Sequence, residues 1–301
     1  MSQTFFTEEF LLRLERLSMA ARKAVAGQTQ GERRSPRRGQ SVEFSDFRPY
    51  VAGDDFRRID WNAYARLERF FIKLFVEEED LTVHFLIDTS RSMRWGQPEK
   101  LDYALHAAGA LGYITLCGLD RVTVTAIHDS GKPAAAAYFP PQRGKRQALP
   151  LFNYLQNLSS TDLMQKSHLD PAGQLKAYAA NAGHPGLLVL FSDLMDDGWK
   201  EGLNALVGRG YQVSVVHLLS PDEANPELEG DLKLVDVEEE SSLEVTADYS
   251  LMVQYHQNLA SWQKGLHDFC ARREINYVPL ETSMPLDQLL FNWMRRQGVL
   301  R

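Results

Sequence analysis

From Leu81 onward, short apolar runs alternate with segments of helical spacing, and this alternation constrains the fold more than any other feature. Near-continuous apolar runs are typical of strands buried on both faces of a sheet. Between them, segments such as EKLDYALHAAGALGYITLCG repeat apolar residues at helical spacing. Because parallel strands joined by helices cross over with one hand, the pattern predicts an α/β fold. Its sheet should be doubly wound, mostly parallel and covered on both faces, as in Rossmann-type three-layer domains. The strand-like runs are LTVHFLID, DRVTVTAIHD, GLLVLFSDL and YQVSVVHLLS.

The alternation divides the chain into two predicted parts. Residues 1–79 should form an N-terminal subdomain with a first helix, an arginine-rich loop and a charged segment threaded with aromatic residues. That charged segment predicts short irregular elements that close with a strand over Phe70–Phe75. Residues 80–301 should form the α/β domain, interrupted by a β-hairpin at about residues 231–247, where two alternating runs flank an acidic turn.

Composition excludes several classes of protein. A formal net charge of -7 argues against a nucleic-acid partner for the surface as a whole. Two cysteines, Cys117 and Cys270, do not make a disulfide framework, and the N-terminal segment lacks the features of a signal peptide. No apolar run reaches the ~18 residues that a membrane span needs. We therefore expect a cytoplasmic protein without a membrane span.

Two strand-like runs end in acids, and this is the strongest chemical signal in the sequence. FLIDTSRSM places Asp88 at a strand end with Ser90 and Ser92 directly after it, and VLFSDLMDD places Asp193 at another. In open α/β sheets, ligands bind outside the carboxyl ends of the strands. If the two strands are neighbours, these oxygens face one crevice and suit Mg²⁺, Mn²⁺ or Ca²⁺.

Two other interpretations of these residues remain open. Asp and Ser at a strand-to-helix junction often bind their own backbone, which would make the motif a capped turn. Alternatively, Asp88 could be a phosphate-attacking nucleophile, with Asp193 anchoring Mg²⁺. Aspartyl-phosphate enzymes usually carry a second acid two residues after the nucleophile, and here that place is Ser90.

The same residues resemble the metal-ion-dependent adhesion site of von Willebrand factor A domains. That motif is Asp-x-Ser-x-Ser after the first strand, a distant Thr, and an Asp after a later strand. Asp88, Ser90, Ser92 and Asp193 match in type and order. The resemblance implies that the serines bind the metal directly and that the acids act largely through water. Thr161 is the preferred candidate for the remaining ligand, Ser167 is the alternative, and absence of this ligand stays open.

A longer stretch resembles the bacterial family catalogued as domain of unknown function 58. It runs from RRSPRRGQSVEF through RPYVAGDDFRRIDWNAYARLERFFIKLF to HFLIDTSRSM. The resemblance implies a von Willebrand factor A-like domain and joint action with a MoxR-type AAA+ ATPase, and it brings no established enzymatic activity. The residues that fit the family pattern are Gly39, Ser41, Glu43, Phe44, Asp46, Arg48, Tyr50, Gly53, Asp54, Asp55, Arg57, Ile59, Asp60, Trp61, Ala65, Arg66, Lys73, Glu77 and Glu79.

The run RPYVAGDDFRRIDWNAYAR supports two compatible interpretations. Its acids and arginines nearly balance, which favours an internal salt-bridge network. Arginine and aromatic residues are also enriched at protein interfaces, which favours a docking surface. The candidate docking residues are Arg48, Arg57, Arg58, Trp61 and Arg66. The preceding loop, Arg33–Arg38, is predicted to be solvated or to contact an acidic partner or phosphates.

The hypothesis that best accommodates these features is a non-enzymatic protein-interaction module. An open position on the metal would accept an acidic side chain of a partner, and the partner implied by the resemblance is a MoxR-type ATPase in assembly or maturation of protein complexes. A metal-free structural scaffold is the first alternative, and a Mg²⁺-dependent phosphohydrolase is the second. His84, His128 and His217 lie in predicted strands without ligand spacing, so we expect them to be core or sheet-face residues.

Overall fold

The structure is a computed structural model of the 301-residue chain. It describes residues 5–15, 42–51, 54, 56, 59–77, 81–127, 138–160, 170–181, 183, 185–196, 198–235 and 242–290, with the backbone alone at 42–46, 73–77 and 160. The chain separates into two compact units. One unit comprises Met1–Gln28 with Leu81–Arg301, and the other comprises Thr29–Asp80.

The elements are numbered in chain order, and short 3-10 turns are left unnumbered. They are α1 (8–15), β1 (Val42–Pro49), α2 (Trp61–Leu67), β2 (Phe71–Glu77), β3 (Thr82–Asp88), α3 (Lys100–Cys117), β4 (Arg121–Ile127), β5 (Tyr138–Arg143), α4 (Ala148–Ser160), α5 (Pro171–Asn181), β6 (Leu187–Ser192), α6 (Trp199–Arg209), β7 (Gln212–Leu219), α7 (Pro221–Ala224), β8 (Gly230–Val235), β9 (Ser242–Ala247), α8 (Tyr249–Ala271), β10 (Asn276–Glu281) and α9 (286–290).

The larger unit is built on a six-stranded sheet in the order β10–β7–β6–β3–β4–β5. Five strands are parallel, and β5 runs antiparallel to β4 at one edge. The predicted α/β class and the mostly parallel sheet are therefore confirmed. β3 and β6 are direct neighbours, with Ile87 opposite Phe191, so the strands that lead into Asp88 and Asp193 end side by side.

The two faces of the sheet are covered by separate groups of helices. Alternation along β3 sends Phe85 and Ile87 to the face packed by α3 and α4, and Leu86 to the face packed by α5, α6 and the end of α8. All three side chains are at most 1% exposed. Burial on both faces explains why these strands are apolar almost throughout.

Helix α1 packs within the larger unit. Leu14 is buried in the same core cluster as α3 and α4, and Phe5, Phe6 and Phe10 pack against that cluster. The sequence pattern grouped this helix with the following charged segment. Amphipathic spacing shows which face of a helix is buried but not which domain buries it.

The smaller unit contains an antiparallel pair, β1 with β2, and helix α2. The strand predicted to close this segment corresponds to β2. The eight-residue strand β1 was not predicted, because its pairing register shifts between Phe44 and Asp46. Such an irregularity interrupts the two-residue alternation by which strands are recognised in a sequence.

The predicted hairpin corresponds to the antiparallel ribbon of β8 and β9. Its tip, residues 236–241, lies outside the described part of the chain. Within the described residues, no helix combines the length and hydropathy required to cross a bilayer.

Candidate functional site

The adjacent ends of β3 and β6 bring Asp88 and Asp193 to the same edge of the sheet. Asp88 is the last residue of β3, and Asp193 directly follows β6. Both are buried, at 7% and 2% exposure. Burial, together with the negative charge of Asp193, raises the pKa of Asp88 to about 6. The two carboxylates are thus close enough to interact, as their positions in the sequence predicted.

Asp88 is held by hydrogen bonds to both of its carboxylate oxygens. The backbone N–H of Ser90 donates to Oδ1 at 2.9 Å, and the Ser192 hydroxyl donates to Oδ2 at 2.6 Å. The first contact is the local Asx-type turn expected for an Asp after a strand. The second comes from the neighbouring strand, and Ser192 was not among the residues singled out from the sequence.

Ser90 and Ser92 lie beside Asp88 with their hydroxyls close together. Their Oγ atoms are 3.0 Å apart, and both residues are half-buried. Ser92 begins a single 3-10 turn, which brings its side chain back towards Ser90. One carboxylate and two hydroxyls therefore cluster at the end of β3.

Asp193 is held differently, by a buried lysine. Nζ of Lys100 donates to Asp193 Oδ2 at 2.8 Å and to Glu223 Oε1 at 2.5 Å. The Lys100 side chain is 0% exposed, against 2% for Asp193 and 18% for Glu223. A buried ammonium is tolerated only when it is paired, and here two carboxylates pair with it.

Sequence reasoning missed both Lys100 and Glu223. Lys100 is the first residue of a strongly apolar helix, where a lysine ordinarily points to solvent. Glu223 does carry a signal, because Ser220 and Glu223 form the Ser-x-x-Glu pattern of a capping box, and the structure shows that box. The pattern predicts the cap but not the second bond to Lys100.

His217 lies next to the Asp193 strand and is completely buried. It pairs in register with Ser192, its Nδ1 is 2.7 Å from the Tyr277 hydroxyl, and its ring packs edge-on to Trp262. Burial lowers the pKa of His217 to about 4. His217 is therefore a core histidine, as predicted, and His84 at 4% exposure is also buried in the sheet. His128 lies outside the described residues.

The atoms at the end of β3 suit a hard cation. Carboxylate and hydroxyl oxygens are the ligands that Mg²⁺ and Mn²⁺ prefer, and Asp88, Ser90 and Ser92 would hold such an ion. In the part of the chain that the structure describes, no three or more His, Cys, Asp and Glu side chains form a group suited to a metal. Thr161 and Ser167 lie outside the described residues.

In the smaller unit, Arg48 makes a two-pronged ion pair with Asp54, with N–O distances of 2.8 and 2.7 Å. Asp60 caps α2 by accepting the backbone N–H groups of Asn62 and Ala63. These contacts agree with the internal-network interpretation of the segment. Arg57, Arg58 and the loop Arg33–Arg38 lie outside the described residues.

The aromatic residues of the same segment are exposed. Trp61 is 60% exposed and makes edge-to-face contacts with Tyr64 and Phe70, which stack on each other at 4.4 Å. Arg66 is exposed on the same helix, and no residue of α2 is buried. Trp61 and Arg66 are thus accessible, as a docking role requires.

Comparison with known proteins gives distant likenesses. Uncharacterized proteins of Mycobacterium bovis and Mycobacterium tuberculosis are 24% identical over 241 residues, which is 79% of this chain and 74% of theirs. BatB from Bacteroides thetaiotaomicron superposes with a TM-score of 0.41 and 15% identity over 72% of this chain and 98% of its own. An aerotolerance-related membrane protein from Bacteroides fragilis gives 0.43 and 14% over 73% and 100%.

A pilus adhesin, SpaC from Lactobacillus rhamnosus GG, gives a TM-score of 0.41 and 10% identity over 74% of this chain and 30% of its own. Scores this low do not bear on function. The family model described as "Protein of unknown function DUF58" matches residues 46–264, well over half of the chain. The chain therefore belongs to the DUF58 family.

Proposed function

We propose that this protein is a non-enzymatic protein-interaction module of von Willebrand factor A type. In the proposal, Asp88, Ser90 and Ser92 hold Mg²⁺ or Mn²⁺, Asp193 and a further residue such as Thr161 assist, and a partner's acidic side chain completes the coordination. The observation that carries it is the 3.0 Å approach of the two serine hydroxyls beside Asp88. A closely spaced carboxylate and hydroxyl pair at a strand end is the kind of donor set that binds hard cations.

The partner proposed is a MoxR-type AAA+ ATPase, with which this protein would act in the cytoplasm on the assembly or maturation of protein complexes. The basis is the family resemblance of the segment from Arg33 to Met93. The chemistry of the site is consistent with it, because a divalent ion held by one carboxylate and two neutral hydroxyls retains positive charge. That charge would attract a Glu or Asp of the partner.

A second surface, on the smaller unit, would contribute to docking. Trp61 and Arg66 are exposed on α2, and aromatic and arginine side chains carry much of the binding energy at interfaces. Arg48 would act less directly, because Asp54 already holds its guanidinium. Arg57 and Arg58 complete the set proposed from the sequence.

A metal-free scaffold is the second candidate function, and one observation favours it. Lys100 already neutralises Asp193, so one of the two carboxylates has a counter-ion without any metal. A phosphohydrolase is less well supported. Both oxygens of Asp88 accept hydrogen bonds, and Ser90 stands where such an enzyme would carry its second acid.

Calorimetric titration with Mn²⁺ tests the metal proposal. Wild-type protein should bind the ion, and Asp88→Asn should abolish the binding heat. Asp268→Asn serves as the matched control, because it neutralises an exposed carboxylate on α8 and should bind as wild type does. Equal heats in wild type and Asp88→Asn would rule out a metal at this site.

Capture of the ATPase tests the partner proposal separately. Immobilised wild-type protein should retain a MoxR-type ATPase in Mg²⁺ and lose it in EDTA, and Asp88→Asn should not retain it in either buffer. Retention that is equal in Mg²⁺ and EDTA would favour the metal-free scaffold. A failure to retain the ATPase in both buffers would remove the partner proposal and leave the calorimetric result untouched.

A further inference from the structure

In the part of the chain that the structure describes, Lys100 is the only buried lysine, and its side chain is 0% exposed. Its ammonium lies between Asp193, which follows β6, and Glu223, in the turn of helix after β7. Lys100 itself begins α3. The ammonium therefore joins three separate segments at the carboxyl-end edge of the sheet.

The position of Glu223 is fixed independently of Lys100. Its second carboxylate oxygen accepts the backbone N–H of Ser220 at 2.8 Å, and its own N–H donates to the Ser220 hydroxyl at 3.3 Å. The Tyr255 hydroxyl donates to the Glu223 carbonyl at 2.6 Å. A carboxylate positioned in this way is a prepared partner for a cation rather than a flexible surface acid.

The segment before Lys100 is equally constrained. Gly96 has φ +92°, and a Cβ built there would lie 2.2 Å from Ser220 Cβ. The Thr282 hydroxyl donates to the Pro98 carbonyl at 2.9 Å. Contacts with the residues that directly follow β7 and β10 thus fix the segment that leads into Lys100.

We propose that Lys100 is a built-in cation that takes the place of a metal at Asp193. Its ammonium donates to both the Asp193 and Glu223 carboxylates and offsets one of their two negative charges, so the strand ends assemble with no divalent ion. An ion at Asp88, Ser90 and Ser92 is then bound through a single carboxylate. The first part of the proposal, the role of Lys100 at Asp193, does not rest on the proposed function. The second part, the binding of an ion through a single carboxylate, does rest on it.

Under this proposal, Asp88 and Asp193 have different roles in ligand recognition. Asp193 is engaged by Lys100 and so assists ion binding less than Asp88, which is decisive. An ion bound in this way keeps more of its positive charge than one held by two free carboxylates. Lys100 thereby determines that the site favours an acidic ligand over a neutral one.

Thermal unfolding in EDTA tests the first part with a double-mutant cycle. Lys100→Met leaves two carboxylates without their cation and should lower the unfolding midpoint by about 10 °C. Lys100→Met with Asp193→Asn should recover about half of that loss, because one uncompensated charge is gone. Lys176→Met is the control, since its ion pair with Glu201 is exposed and should contribute less than about 2 °C.

Three results would overturn this part. One is a Lys100→Met midpoint within about 2 °C of wild type. Another is a double variant that shows simple addition of the two single losses. The third is a wild-type midpoint that falls in EDTA as far as that of Lys100→Met does. If Lys100→Met does not fold, Lys100→Met with Asp193→Asn must fold for the proposal to stand.

Added Mn²⁺ tests the second part on the same proteins. The ion should raise the midpoint of Lys100→Met more than that of wild type, because it can occupy the vacated place between two carboxylates. In calorimetry, Asp193→Asn should change wild-type Mn²⁺ affinity less than about threefold, whereas Asp88→Asn abolishes binding. Equal losses of Mn²⁺ affinity in Asp193→Asn and Asp88→Asn would overturn the proposed difference between the two aspartates. Absence of Mn²⁺ binding in wild type would instead remove the proposed metal site.

Discussion

The ends of β3 and β6 each carry an aspartate, but the groups that surround the two carboxylates differ. Asp88 is surrounded by donors that are neutral, namely the hydroxyl of Ser192 and the N–H of Ser90. Asp193 is paired with the ammonium of Lys100. Two aspartates that are equivalent in the sequence pattern therefore have different charges around them. Neutral donors bind the aspartate at the β3 end, whereas Lys100 partly compensates the charge at the β6 end.

Under the proposed function, this difference predicts which end would bind an external cation. Burial destabilises the charged form of a carboxylate whose partners are neutral, and the raised pKa of Asp88 reflects this. A nearby cation would stabilise that charged form. A carboxylate already paired in a dry environment gains little from a second cation.

The largest expected effect on the free energy of unfolding comes from a substitution in the loop that precedes Lys100. Gly96→Ala should reduce the free energy of unfolding by about 3 kcal/mol, because φ is positive there and the new Cβ would meet Ser220. Urea denaturation measures this loss. Gly208→Ala, in α6 with open space around its Cα, is the control and should be neutral or stabilising by up to about 1 kcal/mol. Equal losses at the two glycines would show that Ser220 does not constrain the loop.

The compensated end should also make the protein sensitive to acid through His217. Its pKa is lowered to about 4 in the folded protein, against 6.5 for an ordinary histidine. At pH above 6.5 the ring is neutral in both states and contributes no pH dependence. As the pH falls from 6.5 to 4, the unfolded chain binds the proton first, so stability is lost, by up to roughly 3 kcal/mol.

The measurement is the free energy of unfolding of wild type and His217→Phe at pH 7.5 and 4.5. Asp88 acts in the opposite direction, because its raised pKa lets the folded state take up a proton earlier than the unfolded chain. The informative quantity is therefore the difference between the two proteins, which should shrink at low pH. The exposed His267 is the control, and His267→Gln should leave the pH dependence unchanged.

The next prediction separates the structural serine from the proposed ligand serines. Ser192→Ala removes a hydrogen bond to a buried carboxylate and should cost about 2 kcal/mol of stability. Ser90→Ala should cost less stability but lower Mn²⁺ affinity on the order of tenfold. Denaturation and calorimetry on both variants check this. A Ser90→Ala protein that binds Mn²⁺ as wild type does would place the ion, if any, elsewhere.

The smallest expected effect on stability lies in the smaller unit. Trp61→Ala should change the free energy of unfolding by less than about 0.5 kcal/mol, because the ring is mostly exposed. It should nonetheless reduce retention of the ATPase in the capture assay. Trp199→Ala, which truncates a ring that is 3% exposed, should cost about 4 kcal/mol. Unchanged retention with Trp61→Ala would remove α2 from the docking surface.

Much of the α/β unit was predictable because its signals are local. The apolar runs of β3, β4, β6 and β7 identify strands, and the acids at two strand ends identify the edge of the sheet where the candidate site lies. Strand adjacency was a hypothesis that the structure was needed to establish. β1 escaped prediction because a change of register disturbs its alternation.

The Lys100 pair could not be predicted, for a physical reason. In the sequence, Lys100 is 93 residues from Asp193 and 123 residues from Glu223. Each of these residue types is ordinarily exposed. No periodicity records which lysine meets which carboxylate. Only the fold brings them together, and only their burial shows that the pairing matters.

We propose that a divalent ion binds at the β3 end through Asp88, Ser90 and Ser92, while Lys100 stays bound to Asp193. Anomalous diffraction from crystals soaked in Mn²⁺ tests both parts at once. One peak should lie within coordination distance of the three β3-end residues, with the Lys100 ammonium still between Asp193 and Glu223. No peak at the β3 end, or a peak between Asp193 and Glu223 with Lys100 displaced, would contradict this proposal.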